Sequence, residues 1–128
     1  MFCYLVFQIS SSNSGFIQYK DGTNQTIIGC TKDYAGDVII LQTVTEIYSK
    51  GESNYAFQNC KENITSLNFE ENSQIVSIHN FSFHNTNLLF ANLSQCKLLY
   101  FLNGSLFFGC YKLKSIILPP NISSIENH

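Results

Sequence analysis

The chain has 128 residues, of which 45% are hydrophobic and 12% are charged, and its net charge is −2. This length allows one domain with its own core, and hydrophobic content at so low a net charge excludes a disordered chain. No stripe of Lys and Arg is available to bind a phosphate backbone, so nucleic acid is not expected as a partner. No apolar run approaches the roughly 18 residues of a transmembrane helix, so none is predicted.

Residues 1–14 form an N-terminal segment that precedes the predicted domain. The stretch from Met1 to Ile9 is mostly apolar and is followed by a run of Ser and Asn. A secretory signal needs a basic start before an apolar core of about 7–15 residues, and no Lys or Arg precedes this one. We therefore interpret the segment as a leader with weak signal-like character, and a first strand or a frayed end is the alternative.

Residues 15–36 predict a β-hairpin cap. Two β-prone runs, residues 16–20 and 25–28, flank Asp21-Gly22, a dipeptide that favours hairpin turns because both residues tolerate positive φ. Residues 37–41 then alternate as the first strand of a stacked series. Since the open end of such a series exposes core and strand edge, we assign the hairpin the role of covering it.

Residues 37–128 carry an internal repeat. Its phenylalanines recur about every 25 residues, a period typical of solenoids. The three copies run Phe57, Cys60, Ile64, Leu67, Phe69, Ile75, Ile78; then Phe83, Thr86, Leu88, Ala91, Leu93, Leu99, Leu102; then Phe107, Cys110, Leu113, Ile116, Leu118, Ile122, Ile125. A partial copy from Val38 to Ile47 precedes them, residues 48–55 are an insertion, and the last unit is incomplete. The middle copy has a competing start at Leu93, but the Phe83 start keeps the spacing constant.

Each copy predicts one short strand that stacks in parallel on its neighbours. Alternation points one set of side chains into the core, namely Leu67, Phe69, Ala91, Leu93, Ile116 and Leu118. The residues between them face outward, namely Asp37, Ile39, Leu41, Ser66, Asn68, Glu70, Phe90, Asn92, Ser94, Ser115 and Ile117. No window shows the 3.6-residue period of an amphipathic helix, so the return segments are expected to be short strand-like or 3₁₀ pieces.

The order Phe-x-x-Cys-x-x-Leu-x-x-Ile-x-Leu-Pro followed by Ile-x-x-Ile, from Phe107 to Ile125, resembles the leucine-rich repeat of the BspA-like proteins. The lead-in from Ile28 to Ile40 looks like the segment that opens the repeats in the parasitic-protozoan members. The resemblance covers roughly Tyr19 to Ile125. It implies a mainly β leucine-rich-repeat solenoid, and it implies surface proteins that adhere to host cells or extracellular matrix.

A leucine-rich-repeat protein usually binds through its exposed sheet face, because stacked strands form a broad and rigid display. The candidate binding face consists of Ile39, Leu41, Asn68, Phe90, Asn92 and Ile117. This mixture of apolar and amide side chains suits a protein or glycan surface better than a phosphate. It is also what a short repeat fragment without independent function would show.

Five cysteines, at positions 3, 30, 60, 96 and 110, lie far apart and include no Cys-x-x-Cys pair. Cys60 and Cys110 occupy the same position two rungs apart, and at about 4.8 Å per rung their Cα atoms would be roughly 10 Å apart, beyond disulfide reach. We therefore predict that both are reduced, buried thiols that pack as small hydrophobes. On this interpretation the cysteines do not identify the compartment.

No constellation for catalysis is present, and neither a cofactor nor a metal is expected. His79 and His84 lie between two units without a carboxylate nearby in the sequence, which is typical of solvated turn histidines. Glu70 and Glu71 are likewise interpreted as a solvated strand end and not as a catalytic pair. The sequence therefore predicts a protein that is not an enzyme.

Six Asn-x-Ser/Thr sequences occur, at Asn24, Asn63, Asn80, Asn92, Asn103 and Asn121. They are candidate N-glycosylation sites, which requires passage through a secretory compartment. The alternative is that Asn, Ser and Thr cluster as turn formers. A cell-surface or secreted location and a cytoplasmic interaction scaffold both remain open.

The last strand is expected to expose Ile116 and Leu118, so the chain is either a piece of a longer repeat protein or one that self-associates there.

Overall fold

The computed structural model describes residues 15–126. The predicted leader, residues 1–14, lies outside the described residues. The elements in chain order are β1 (Ile17–Tyr19), a 3₁₀ turn (Lys20–Gly22), β2 (Thr26–Cys30), β3 (Gly36–Ile40), β4 (Glu46–Ile47), β5 (Ile64–Phe69), β6 (Ser77–Ile78), β7 (Phe90–Asn92), β8 (Phe101–Leu102), β9 (Ser115–Ile117) and β10 (Ser124–Ile125). The mainly β solenoid of stacked parallel strands predicted from the repeat is confirmed.

The described part of the chain opens with a hairpin, in which β1 and β2 pair antiparallel. Asp21 and Gly22 of the connecting turn have φ values of +56° and +66°, the left-handed conformation that this dipeptide tolerates. β2 also pairs in parallel with β4. The hairpin is therefore continuous with the first rung on the return side of the solenoid.

Four parallel strands, in the order β3-β5-β7-β9, form the main sheet. Val38 pairs with Leu67, Leu67 with Ala91, and Ala91 with Ile116. This register is the one that the Phe83 start of the middle copy predicts. Since side chains alternate along a strand, it places the predicted inward residues in one column.

On the return side, the two-residue strands β4 and β6 continue from β2 in the order β2-β4-β6, and the two-residue strands β8 and β10 pair separately. The main sheet and the return strands enclose a single hydrophobic core, so their exposed faces point away from each other. Within the core the repeat phenylalanines stack. The ring of Phe83 lies 4.7 Å from that of Phe57 and 5.7 Å from that of Phe107, centroid to centroid.

Phe57 and Phe83 are completely buried, whereas Phe107 is only partly buried. Phe107 therefore packs against the core but is less enclosed than the two earlier phenylalanines of the repeat. At the last strand the predicted exposure is present: Ile116 is 41% and Leu118 44% exposed. The burial of the inward side chains thus decreases from β3 toward β9, because no further strand packs against β9 in the described residues.

Asparagine side chains fasten successive turns to one another. The amide of Asn63 donates to the carbonyl oxygen of Lys32 (2.9 Å), and that of Asn87 donates to the carbonyl oxygen of Glu62 (3.1 Å). Asn121 repeats the contact with Lys97, at 2.9 Å. These bonds connect turns roughly 25–30 residues apart. The first two fix the stacking of the rungs where strands of the main sheet begin, and the third lies before the return strands β8 and β10.

Candidate functional site

The outward face of the main sheet is the candidate binding surface, and it carries three half-exposed apolar side chains. Ile39 is 51%, Phe90 50% and Ile117 52% exposed. Asn68 is paired with Ile39, and Asn92 with Ile117, so the two amides lie between the isoleucines. At about 4.8 Å per strand the face extends roughly 14 Å from Ile39 to Ile117. Five of the six predicted residues therefore lie together.

Leu41 is the exception, and its placement on this face is a wrong prediction. β3 ends at Ile40, and the carbonyl oxygen of Leu41 accepts a hydrogen bond from the amide of Val44 at 3.1 Å. The chain turns at this point, so the alternation of the strand no longer applies. The side chain is partly buried and packs against the core.

A polar network on the same outward face was not predicted. The hydroxyl of Ser66 donates to Asp37 Oδ1 at 2.6 Å, and the Asn68 amide donates to the Ser66 hydroxyl at 3.0 Å. Alternation did predict that all three side chains face outward, but their contact depends on the β3–β5 register. The network fixes the Asn68 side chain on the face and leaves its carbonyl oxygen as an acceptor.

Cys60 is not a reduced thiol, and that prediction is wrong. It forms a disulfide with Cys30, with 6.1 Å between the two Cα atoms. The two cysteines lie on adjacent levels of the stack, which is within disulfide reach. The sequence argument compared Cys60 only with Cys110, two rungs away, because Cys30 precedes the first complete copy and was given no position in the repeat.

Cys96 and Cys110 are free thiols. Burial raises the pKa of the Cys96 thiol to about 12. Burial also raises the pKa of Cys110, although hydrogen bonds from Thr86 oppose the shift. The predicted reduced state of Cys110 agrees with the structure. Since the thiolate is the reactive form, both thiols are expected to react slowly in the folded protein.

The two histidines are not solvated turn residues, which corrects the sequence interpretation. His79 Nε2 lies 2.7 Å from Glu46 Oε2, a carboxylate 33 residues away in the chain. His84 is only 6% exposed, and its Nδ1 lies 3.1 Å from the carbonyl oxygen of Phe108. Stacking of the repeats supplies both partners, so a search for carboxylates nearby in the sequence could not find them.

Glu70 also makes a contact that the sequence did not predict. Its carboxylate accepts a hydrogen bond from the backbone amide of Gln42 at 2.8 Å, whereas Glu71 is exposed, as expected.

Within residues 15–126, no three His, Cys, Asp or Glu side chains come together as metal ligands. No helix in the same range has the length and apolar character needed to cross a bilayer.

The six candidate glycosylation sites differ in their surroundings, and their occupancy stays a prediction. Asn80 is exposed, and its side chain makes no hydrogen bond to the described residues. Asn103 donates to Glu126 Oε2 at 3.1 Å, and Asn92 Oδ1 accepts from the amide of Ser94 at 3.0 Å. Asn80 is therefore the most accessible of these three.

Comparison with known proteins identified one matching family. The model described as "BspA type Leucine rich repeat region (6 copies)" matches residues 34–128. Comparisons with curated proteins and with solved structures gave no significant match. The matched range contains the whole main sheet, from β3 to β9, and therefore the whole candidate binding face.

Proposed function

Because this chain belongs to the BspA-type leucine-rich repeat family, we propose that it is an interaction module whose exposed sheet face adheres to a protein or glycan surface outside the cell. Leucine-rich repeats of this kind are generally not enzymes, and they serve in protein interaction. The resemblance of residues 28–40 to the opening segment of protozoan members supports a surface protein that adheres to host cells or matrix.

The exposed outward face of the main sheet is the observation that carries the proposal. Ile39, Phe90 and Ile117 are each about half exposed, and they stand on a sheet whose other face is buried. Aromatic and aliphatic side chains in such a patch are suited to bury apolar area against a partner. The Asn68 and Asn92 amides beside them supply the hydrogen bonds that orient a protein or glycan surface.

The Cys30–Cys60 disulfide supports a location outside the cytoplasm, since disulfides persist in oxidising compartments and are rare where glutathione keeps thiols reduced. The intracellular scaffold remains the rival interpretation, and the redox state of this pair separates the two. When protein from its own cells is quenched in acid and alkylated, mass mapping should find Cys30 and Cys60 linked and Cys96 alkylated after denaturation. Recovery of Cys30 and Cys60 as alkylated thiols would favour the scaffold.

We also propose that the chain associates with a second copy of itself. Ile116, Leu118 and Ile125 are 41%, 44% and 52% exposed at the last strands of the two ladders. Pairing with a second copy would cover these side chains together with the open strand edge of β9. We propose this contact for the chain of 128 residues, separately from the binding face.

Binding to immobilised extracellular-matrix extract tests the proposed function. Removing two apolar side chains from the face in the double variant Ile39→Ser and Ile117→Ser should weaken binding about tenfold or more. Leu98→Ser is the matched control, because Leu98 is 43% exposed and lies in a turn away from the face. Circular dichroism should show all three proteins folded.

The proposal fails if the wild-type protein does not bind the matrix extract. It also fails if the control variant loses as much binding as the double variant, since the loss would then be unrelated to the sheet face.

A further inference from the structure

A cleft of about 700 Å³ lies on the return side of the solenoid, where the ladder of strands is interrupted. His79 N donates to the carbonyl oxygen of Ile47 (2.9 Å) and so joins β6 to β4. Glu126 N donates to that of Leu102 (3.0 Å) and so joins β10 to β8. In the part of the chain that the structure describes, no backbone hydrogen bond joins β6 to β8. The cleft occupies this gap.

The insertion in the repeat forms one end of the cleft. Ser49, Lys50 and Gly51 line it, and the segment is held by a hydrogen bond from Lys50 N to the carbonyl oxygen of Asn54 at 2.9 Å. Gly51 and Asn54 also form an antiparallel bridge. The other repeat units have no such insertion, so this wall of the cleft belongs to one unit of the repeat.

Aromatic rings form part of the cleft walls. Phe101 is 46% exposed, and Phe81 lines the cleft with its backbone at φ +61°. Positive φ is a strained conformation for a bulky residue, and such strain is concentrated at ligand-binding sites. The Phe81 ring is held in place by edge-to-face contacts with His84 and Phe108, at centroid distances of 5.5 and 6.5 Å.

Polar groups available for a ligand accompany these rings. His79 Nε2 is engaged by Glu46 at 2.7 Å, so the imidazole is oriented, while its Nδ1 has no hydrogen bond to residues 15–126. The Asn80 amide has none in that range either. Among residues 15–126, Lys50 is the only Lys, Arg, Asp or Glu residue that lines this cleft, and its ammonium forms no ion pair in that range.

We propose that this cleft binds an acidic saccharide, meaning a sugar ring that carries a carboxylate. Its volume falls within the roughly 300–1,000 Å³ of small-ligand sites, which combine apolar walls with a few convergent polar groups. The apolar face of a sugar ring would pack on Phe101, and its hydroxyl groups would bond to His79 Nδ1 and the Asn80 amide. The Lys50 ammonium would pair with the carboxylate.

A peptide that adds as a strand is the other ligand class for an open sheet edge. β6 and β8 are only two residues long each, so an inserted peptide would gain few backbone hydrogen bonds. A compact ring with several hydroxyl groups needs no long edge. The observations therefore favour the saccharide.

The test uses the whole chain produced in a bacterial periplasm, where the disulfide forms and Asn80 stays unmodified. An array of immobilised glycans that includes sialylated, uronic-acid and neutral oligosaccharides is probed first. Titration calorimetry then measures the tightest binder against three variants. Phe101→Ser should abolish binding, Lys50→Gln should weaken it about tenfold, and Tyr111→Ser should not change it. Tyr111 is the matched control because it is also an aromatic side chain, is 92% exposed and is not among the residues that line the cleft.

Preference for neutral over acidic glycans, or loss of binding in Tyr111→Ser, would overturn the proposal. The same conclusion would follow if no glycan on the array bound, or if a peptide library yielded a cleft ligand that acidic sugars do not displace. Since the matrix-binding test depends on Ile39 and Ile117, failure of either proposal leaves the other intact.

Discussion

At the scale of single residues, the Cys30–Cys60 bond joins the N-terminal hairpin to the first complete repeat. The two cysteines are 30 residues apart, and closing a loop of that size stabilises the folded state by about 3–4 kcal/mol in the chain-entropy description. Both side chains are completely buried. The bond therefore fixes the position of the hairpin against the first complete repeat.

The stacked phenylalanines give the first stability prediction. Phe57→Ala and Phe83→Ala should each lower the free energy of unfolding by about 3–5 kcal/mol, because each removes a fully buried ring from the stack. Phe107→Ala should cost less, since that ring is only partly buried, and Phe90→Ala should cost least. Urea melts of the four variants measure these differences.

A cost for Phe90→Ala equal to that for Phe57→Ala would contradict the strand register. A shift of one residue exchanges every inward side chain for an outward one, so this comparison tests the register directly.

At the scale of elements, the repeat predicted the main strands and their faces well. The spacing of the phenylalanines placed Leu67, Ala91 and Ile116 in one inward column, and the structure pairs them in that way. Alternation is a property of the strand itself, so it can be read without knowledge of the neighbours. It fails at Leu41 because a turn begins there.

Contacts between rungs were the part that the sequence did not reveal. The Glu46–His79 pair and the Glu70–Gln42 bond join residues about 30 positions apart, and so does the disulfide. Each depends on which turns lie next to each other, and the insertion at residues 48–55 changes that alignment. The gap between β6 and β8 is a similar case, because both strands follow the repeat pattern and yet do not pair.

At the scale of the whole molecule, the two exposed faces are independent surfaces around one core. The main sheet presents a continuous apolar and amide column, whereas the return side presents a cleft with oriented polar groups. The cleft depends on an insertion and an interrupted ladder, and the column depends only on the regular repeat. A partner on one face would therefore leave the other accessible.

The last strands carry the final prediction. Appending one repeat unit with the inward residues of the middle copy should cover Ile116, Leu118 and Ile125, which are now about half exposed. Burying them is worth roughly 1 kcal/mol each, so the Tm should rise by about 10 °C. The extended protein should also stay monomeric in sedimentation at concentrations where the 128-residue chain associates.

An appended unit with Ser and Asn at its inward positions is the matched control, because it adds the same length of chain without apolar cover. It should raise neither the Tm nor the monomer fraction. Equal stabilisation by the two extensions would mean that chain length and not apolar contact is responsible. A 128-residue chain that is already monomeric at high concentration would contradict association through β9, since its exposed Ile116 and Leu118 would then remain solvated without a second copy.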